Sequence, residues 1–315
     1  MNLSVTLKGQ THDLTLKNPV LTASGTFGYG LEFASYGDLA SLGGLVTKGL
    51  SLMPRPGNPT PRIVETTAGM LNAVGLQNDG VEDFCARKLP LLPWQETAVI
   101  ANIYAATVEE FSQLAARLNA EEGVAALEVN VSCPNVRQGG IAFGQDPGMA
   151  AQVTEAVRKA APDKHIMVKL SPNVTDLALM ARSVEAAGAD SISCINTLLG
   201  MAVDLRWREC QNFGKPRLAN VVGGLSGPAI KPVALRCVWQ AARAVRIPVV
   251  GVGGILTAED ALEFLLVGAQ AVQVGTGNFL RPDCAFALAQ DLPGACQSLG
   301  IDNLAAFCGS LELDC

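Results

Sequence analysis

Six consecutive residues, Asn130-Val131-Ser132-Cys133-Pro134-Asn135, bring two amides, a hydroxyl and a thiol together at the end of the apolar run Ala125-Ala126-Leu127-Glu128-Val129. A strand that ends in such a cluster presents it at the mouth of a sheet or barrel, where α/β enzymes keep their chemistry. Pro134 cannot continue a central strand, so the thiol of Cys133 stands at a strand tip leading into a loop. Other apolar runs end in the same manner. Ala23-Ser24-Gly25, Thr47-Lys48-Gly49, Asn102, Lys169 and Ile195-Asn196-Thr197 each close one, and Gly253-Gly254 and Gly275-Thr276 close two more with glycine turns. The collected groups are hydrogen-bonding or cationic, with no carboxylate among them. Such a set suits an electron-rich planar ligand with carbonyls and a phosphate.

The elements that must position these groups are short and regularly spaced. Apolar runs lie at Pro19–Ala23, Gly44–Lys48, Ala98–Asn102, Leu127–Val131, Ile166–Leu170, Ser191–Ile195, Pro248–Val252 and Ala271–Val274. Eight such runs alternating with helical stretches predict a (β/α)8 barrel, an α/β fold of parallel strands. Thr107-Val108-Glu109-Glu110 has the pattern of a capping box, and Phe111, Leu114, Ala115 and Leu118 follow at helical spacing. Thr257 opens a second such helix. Gly123, Gly188 and Gly268 fall where helices end and a left-handed residue is expected. Two insertions, residues 49–96 and 196–227, break the rhythm and are expected at the C-terminal mouth, as a binding site or as rim decoration. No domain boundary is visible, so residues 1–315 read as a single domain.

Glycine turns after the seventh and eighth strands are where barrels bind phosphate through backbone N–H groups. Gly251-Val252-Gly253-Gly254 and Gly275-Thr276-Gly277 stand there. Neither matches G-x-G-x-x-G, so no NAD-type dinucleotide fold is read. Lys48 and Lys169 each close an apolar run and should point into the mouth rather than into solvent.

Composition narrows the remaining choices. The chain has 315 residues, 49% hydrophobic and 17% charged, enough to bury a large core. A net charge of -6 disfavours nucleic acid as a partner. No apolar run reaches the roughly 20 residues that span a bilayer, and the first residues lack the basic start and apolar segment of a signal peptide. The expectation is a soluble cytoplasmic protein. Nine cysteines, at 85, 133, 194, 210, 237, 284, 296, 308 and 315, show no C-x-x-C pair. Neither a disulfide framework nor a metal or iron–sulfur site on this chain is expected, and most of the cysteines read as small buried hydrophobes, Cys133 being the exception. His12 and His165, the two histidines, fall away from the strand ends and read as structural.

Taken in order, the motifs resemble the catalytic chain of class 1 dihydroorotate dehydrogenases. The resemblance covers nearly the whole chain. It rests on Thr22-Ala23-Ser24-Gly25, Thr47-Lys48-Gly49, Asn72-Ala73-Val74-Gly75-Leu76-Gln77-Asn78, Asn130–Asn135 and Val168-Lys169-Leu170-Ser171-Pro172. Ile195-Asn196-Thr197, Gly224-Leu225-Ser226-Gly227-Pro228, Gly251–Ile255 and Gly275-Thr276 complete it. The resemblance implies one FMN per chain and Cys133 as the base that removes the carbon 5 proton of dihydroorotate. It implies substrate contacts from Lys48, Asn72, Ala73, Val74, Gly75, Leu76, Asn130, Asn135, Asn196 and Thr197. It further implies cofactor contacts from Ser24, Lys48, Gly49, Asn102, Asn130, Lys169, Ile195, Gly227, Gly253, Gly254, Gly275 and Thr276. Gly139-Gly140 would let the loop after Cys133 open and close over substrate.

Class 2 enzymes carry serine in place of Cys133. Among cysteine enzymes, Arg137-Gln138-Gly139-Gly140-Ile141-Ala142-Phe143-Gly144 resembles class 1B. That class pairs the FMN chain with a subunit carrying FAD and a 2Fe–2S cluster, in a heterotetramer of two catalytic and two electron-transfer chains, and passes electrons to NAD. Three alternatives stay open. A class 1A homodimer would reduce fumarate and would not co-purify with an FAD and iron–sulfur chain. A related FMN barrel such as dihydropyrimidine dehydrogenase is opposed by Asn135. An inactive binding barrel would lack yellow flavin. One departure is visible: Trp207-Arg208-Glu209-Cys210-Gln211-Asn212-Phe213-Gly214 looks longer than the family's connection after the sixth strand.

Overall fold

The computed structural model describes residues 2–132, 140–209 and 212–313. Eight parallel strands close a barrel, and all eight expected runs supply one. They are β1 (Val20–Thr22), β2 (Gly44–Val46), β3 (Ala98–Ile103), β4 (Ala126–Asn130), β5 (His165–Leu170), β6 (Ser191–Cys194), β7 (Val249–Val252) and β8 (Ala271–Val274). Each pairs with its sequence neighbour, and β8 returns to β1. Every residue of β4, β5 and β6 is buried, because helices cover the outer face and side chains fill the interior. The helices Val108–Asn119, Pro147–Ala160, Leu177–Ala186, Lys231–Ala244, Ala258–Leu266 and Cys284–Ser298 form the outer ring.

Helix punctuation largely follows the chemistry of the sequence. Thr257 and Asp260 form a reciprocal capping box. At Thr107 the pattern is displaced: its side chain accepts from the Glu110 N–H, but Glu110 reaches back to the N–H of Ala106, one residue earlier. Gly188 and Gly268 are left-handed, with φ of 95° and 115°. Gly123 is not, and corrects the expectation. Its missing side chain serves packing instead, since an added Cβ would lie 3.1 Å from the Trp94 ring.

The N-terminal end of the barrel is plugged. Val5–Leu7 and Leu14–Leu16 form a hairpin. Leu7, Leu14 and Leu16 join Leu21, Val46, Ile100, Ala126, Met167, Val250 and Ala271 in a buried cluster inside the barrel floor. Asp190 clamps the hairpin, accepting from the backbone N–H groups of Thr11 and His12 with one oxygen and pairing Arg158 with the other. Both histidines belong to this end. His165 contacts the His12 carbonyl at 2.6 Å and the Ser191 hydroxyl at 2.7 Å.

Burial pushes the His165 imidazole below its ordinary value of 6.5. The unfolded chain therefore takes the proton first as pH falls. Stability from this site is complete above about 6.5 and is lost progressively below it, down to the depressed folded value. The melting temperature is expected to fall between about pH 7 and pH 5.5 more steeply than that of His165→Gln. Parallel pH profiles of the two proteins would contradict this.

The two insertions form one structure. Ile63–Thr66 and Gly69–Asn72 from the first pair in an antiparallel sheet with Val222–Ser226 and Leu198–Met201 from the second. The sheet has its own small core of Val64, Leu71, Ala73 and Leu218. After β6, Val203–Glu209 pairs antiparallel with Asn212–Pro216 in a separate two-stranded sheet.

Candidate active site

Strand alternation sorts the barrel interior into layers. Two residues beyond the apolar floor, Ala126 is followed by Glu128, Ile100 by Asn102, Met167 by Lys169 and Ala271 by Gln273. These side chains meet across the barrel. Glu128 accepts from Asn102 Nδ2 at 2.6 Å, Ser193 Oγ at 2.8 Å and Gln273 Nε2 at 2.7 Å. Such contacts between β3, β4, β6 and β8 are possible only inside the barrel. One step higher, Lys48, Asn130 and Ile195 face a cavity enclosing about 1190 Å³ of atom-free space, part of it open to solvent.

Most of the expected site residues line this cavity. From the strand ends come Ser24, Lys48, Gly49, Asn130, Lys169, Ile195, Asn196 and Thr197, and from the inserted sheet Asn72, Val74, Gly75 and Leu76. The loops after β6, β7 and β8 add Gly227, Gly253, Gly254, Gly275 and Thr276. The Asn72–Leu76 segment is carried in by the sheet and fixed from behind. Asn78 donates to the Leu76 carbonyl at 2.8 Å and accepts from the Gly80 N–H at 2.9 Å. This holds Leu76 at φ 58°, a conformation that a branched side chain adopts only when its surroundings enforce it.

Two of the amides that line the cavity are tied together through Ser132. Asn130 Oδ1 accepts from the backbone and hydroxyl of Ser132 at 3.2 and 3.0 Å. Asn196 Nδ2 donates to the Ser132 hydroxyl at 2.9 Å, and its Oδ1 accepts from the Thr197 N–H at 2.9 Å. Ser132 thus joins the two asparagines, a positioning role invisible in the sequence. Lys48 and Lys169 are the charged residues among those lining the cavity. Burial pulls the Lys48 ammonium below the usual lysine range, with Glu32 opposing.

The glycine turns have a structural reason to be glycine. Gly254 has φ 74°, and a Cβ there would lie 2.9 Å from the Gly227 carbonyl oxygen. Gly227 has φ 95°, with Gly69 Cα 2.7 Å from where its Cβ would stand. Thr276 donates its hydroxyl to Ser226 at 2.8 Å, tying the turn after β8 to the inserted sheet. The backbone N–H groups of Gly254 and Thr276 have no hydrogen-bond partner among the described residues. Unspent donors beside the cavity fit a phosphate.

Some expected residues are placed differently. Ala73 is buried in the inserted sheet and does not line the cavity. Asn102 lies beneath it, fully buried, with one amide face on Glu128 and Oδ1 without a partner. Cys133 and Asn135 lie outside the described residues, as does Gly139; Gly140 begins the helix Gly140–Gln145. The strand ends carry no carboxylate, but Glu128, two residues inside β4, puts one directly under the site. Ile63, Met70 and Phe279 also line the cavity. Nothing in their local sequence distinguishes them from core residues. Of the other cysteines, Cys85, Cys194, Cys237, Cys284 and Cys296 are buried and Cys308 is partly buried, while Cys210 and Cys315 lie outside the described residues. Cys194 is fully buried, with its thiol pushed well above the ordinary range, and Cys85 is pushed up to about 12. Among the described residues no cluster of histidine, cysteine, aspartate or glutamate could hold a metal ion, and no helix is long and apolar enough to cross a membrane.

A closed eight-stranded barrel with lysines, amides and unspent backbone donors converging at the C-terminal mouth defines a (β/α)8-barrel enzyme. The dihydroorotate dehydrogenase family model matches residues 6–295. A protein of Solidesulfovibrio magneticus named dihydroorotate dehydrogenase B (NAD(+)), catalytic subunit, is 64% identical over 99% of both chains. Proteins of the same name from Maridesulfovibrio salexigens and Trichlorobacter lovleyi are 62% and 59% identical, the first over 99% of both chains and the second over 95% of this chain and 96% of its own. The chain belongs to the dihydroorotate dehydrogenase family.

Proposed function

We propose that this chain is the FMN-bearing catalytic subunit of a class 1B dihydroorotate dehydrogenase, oxidising (S)-dihydroorotate to orotate in de novo pyrimidine (UMP) synthesis. The observation that carries the reading is the convergence of Lys48, Asn72, Asn130, Asn196 and Thr197 on one cavity with the glycine turns of Gly253-Gly254 and Gly275-Thr276. Dihydroorotate must lose a proton from carbon 5 and a hydride from carbon 6. FMN, when bound, accepts that hydride. Gly227, Gly253, Gly254, Gly275 and Thr276 would hold its phosphate. Ser24, Gly49, Asn130, Lys169 and Ile195 would border its ring, with Asn102 supporting them from below.

Asparagine both donates and accepts, so Asn72, Asn130, Asn135 and Asn196 with Thr197 can match the alternating carbonyls and N–H groups of the substrate. The Ala73–Leu76 backbone would border the substrate, and Lys48 would neutralise its carboxylate. Lys169, 5% exposed, presents a cation where negative charge develops. Cys133 takes the carbon 5 proton, a role that rests on the family motif. A thiol serves as a base only through its thiolate, which a nearby cation favours and burial opposes.

Electrons leave through a partner subunit carrying FAD and a 2Fe–2S cluster, in a cytoplasmic heterotetramer of two catalytic and two electron-transfer chains, and reach NAD. The relatives' names, which combine NAD(+) with "catalytic subunit", support this division. Residues 1–315 would then act as one domain. Denaturing the purified chain and identifying the released flavin tests the cofactor: FMN is expected, and FAD alone would overturn the reading.

A further inference from the structure

Beneath the cavity lies a charged residue that the reaction above does not use. Glu128 is fully buried in the barrel interior, where an uncompensated charge is costly. Its three hydrogen-bond partners, Asn102, Ser193 and Gln273, are placed as donors, and its fourth neighbour is the Lys169 ammonium at 3.7 Å. A group surrounded in this way serves as an acceptor-only carboxylate. The contact with Lys169 is too long for a hydrogen bond, because the nearer positions around the carboxylate are taken by the amides and the hydroxyl. Lys169 therefore keeps its ammonium donors for the cavity, which it lines, while a fixed negative charge sits behind it.

We propose that Glu128 is a positioning residue that holds Lys169 and partly neutralises it, and so sets the reduction potential of the flavin bound above. The proposal rests on the assignment of FMN to this cavity. Reduction of a flavin adds negative charge near Lys169. An unopposed ammonium would favour the reduced state and make onward electron transfer harder. Glu128 tempers that cation. It also ties Lys169 to β3, β6 and β8 through Asn102, Ser193 and Gln273, so the charge is held at a fixed height in the barrel.

The experiment is anaerobic redox titration of the purified, flavin-loaded chain, compared with Glu128→Gln, Lys169→Met and the double variant. Glu128→Gln keeps the side chain's shape and removes its charge. It is expected to shift the reduction equilibrium at least tenfold toward reduced flavin, about 30 mV for a two-electron couple. Lys169→Met leaves the carboxylate unopposed and is expected to shift it at least tenfold the other way. The double variant buries neither charge and is expected within about threefold of wild type, keeping the test open if a single variant fails to hold flavin. A wild-type potential in Glu128→Gln, or in the double variant the same shift as in Lys169→Met alone, would overturn the proposal. Absence of FMN from the wild-type chain would instead overturn the cofactor assignment, and this inference with it.

Discussion

Cys133→Ser is expected to slow reduction of the bound flavin by dihydroorotate roughly 10²–10⁴-fold, the usual cost of removing a general base. Orotate should still bind, because the groups proposed to recognise it are the amides and Lys48. A serine hydroxyl is a far weaker base near neutral pH, and nothing along the cavity offers it a histidine. The two histidines are His12, in the N-terminal plug, and His165, at the opposite end of the barrel from the cavity. The measurement is anaerobic stopped-flow reduction with saturating substrate, alongside orotate titration of the oxidised protein. Wild-type speed in the variant would remove Cys133 from the role of base. Loss of orotate binding together with rate would recast it as a binding residue.

The second large effect concerns the route of the electrons. The isolated chain should take electrons from dihydroorotate readily yet reduce NAD poorly, and adding the FAD and iron–sulfur subunit from the same source should restore rapid NAD turnover. Both glycine turns are committed to the one cavity. Gly254 packs against Gly227, and Thr276 bonds to Ser226. Neither turn has the spacing of a dinucleotide fold. Steady-state NAD reduction by the chain with and without the subunit decides the matter. Fast NAD turnover by the isolated chain would refute the two-subunit route, and fast fumarate reduction would point to class 1A.

The barrel was legible because its buried parallel strands are mostly apolar and end in polar groups. Val249-Val250-Gly251-Val252 and Ser191–Cys194 are buried at every position. The convergence of Lys48, Asn130, Lys169 and Asn196 followed from topology alone, since all C-terminal strand ends of such a barrel share one mouth. The inserted sheet was not legible. Asn72 pairs with Gly224, and that contact exists only after the barrel has brought two distant loops to the same rim. Asn102 and Ala73 were expected at the cavity because the motifs around them reach it. Asn102 is instead drawn beneath it by Glu128, and Ala73 turns into the core of the sheet. Glu128 itself lies in a run whose other members are mostly apolar, and only its partners on three other strands show that its side chain points inward. Gly123 resembled a helix stop, while its actual constraint is the ring of Trp94.

The central claim is that this cavity oxidises dihydroorotate through a bound flavin. Its most direct test is a single anaerobic turnover: the purified yellow chain mixed with excess dihydroorotate, with flavin absorbance and orotate followed together. The expected result is rapid bleaching of the flavin with one orotate formed for each FMN reduced. A flavin that stays oxidised under saturating dihydroorotate, or one that bleaches without forming orotate, would contradict the account.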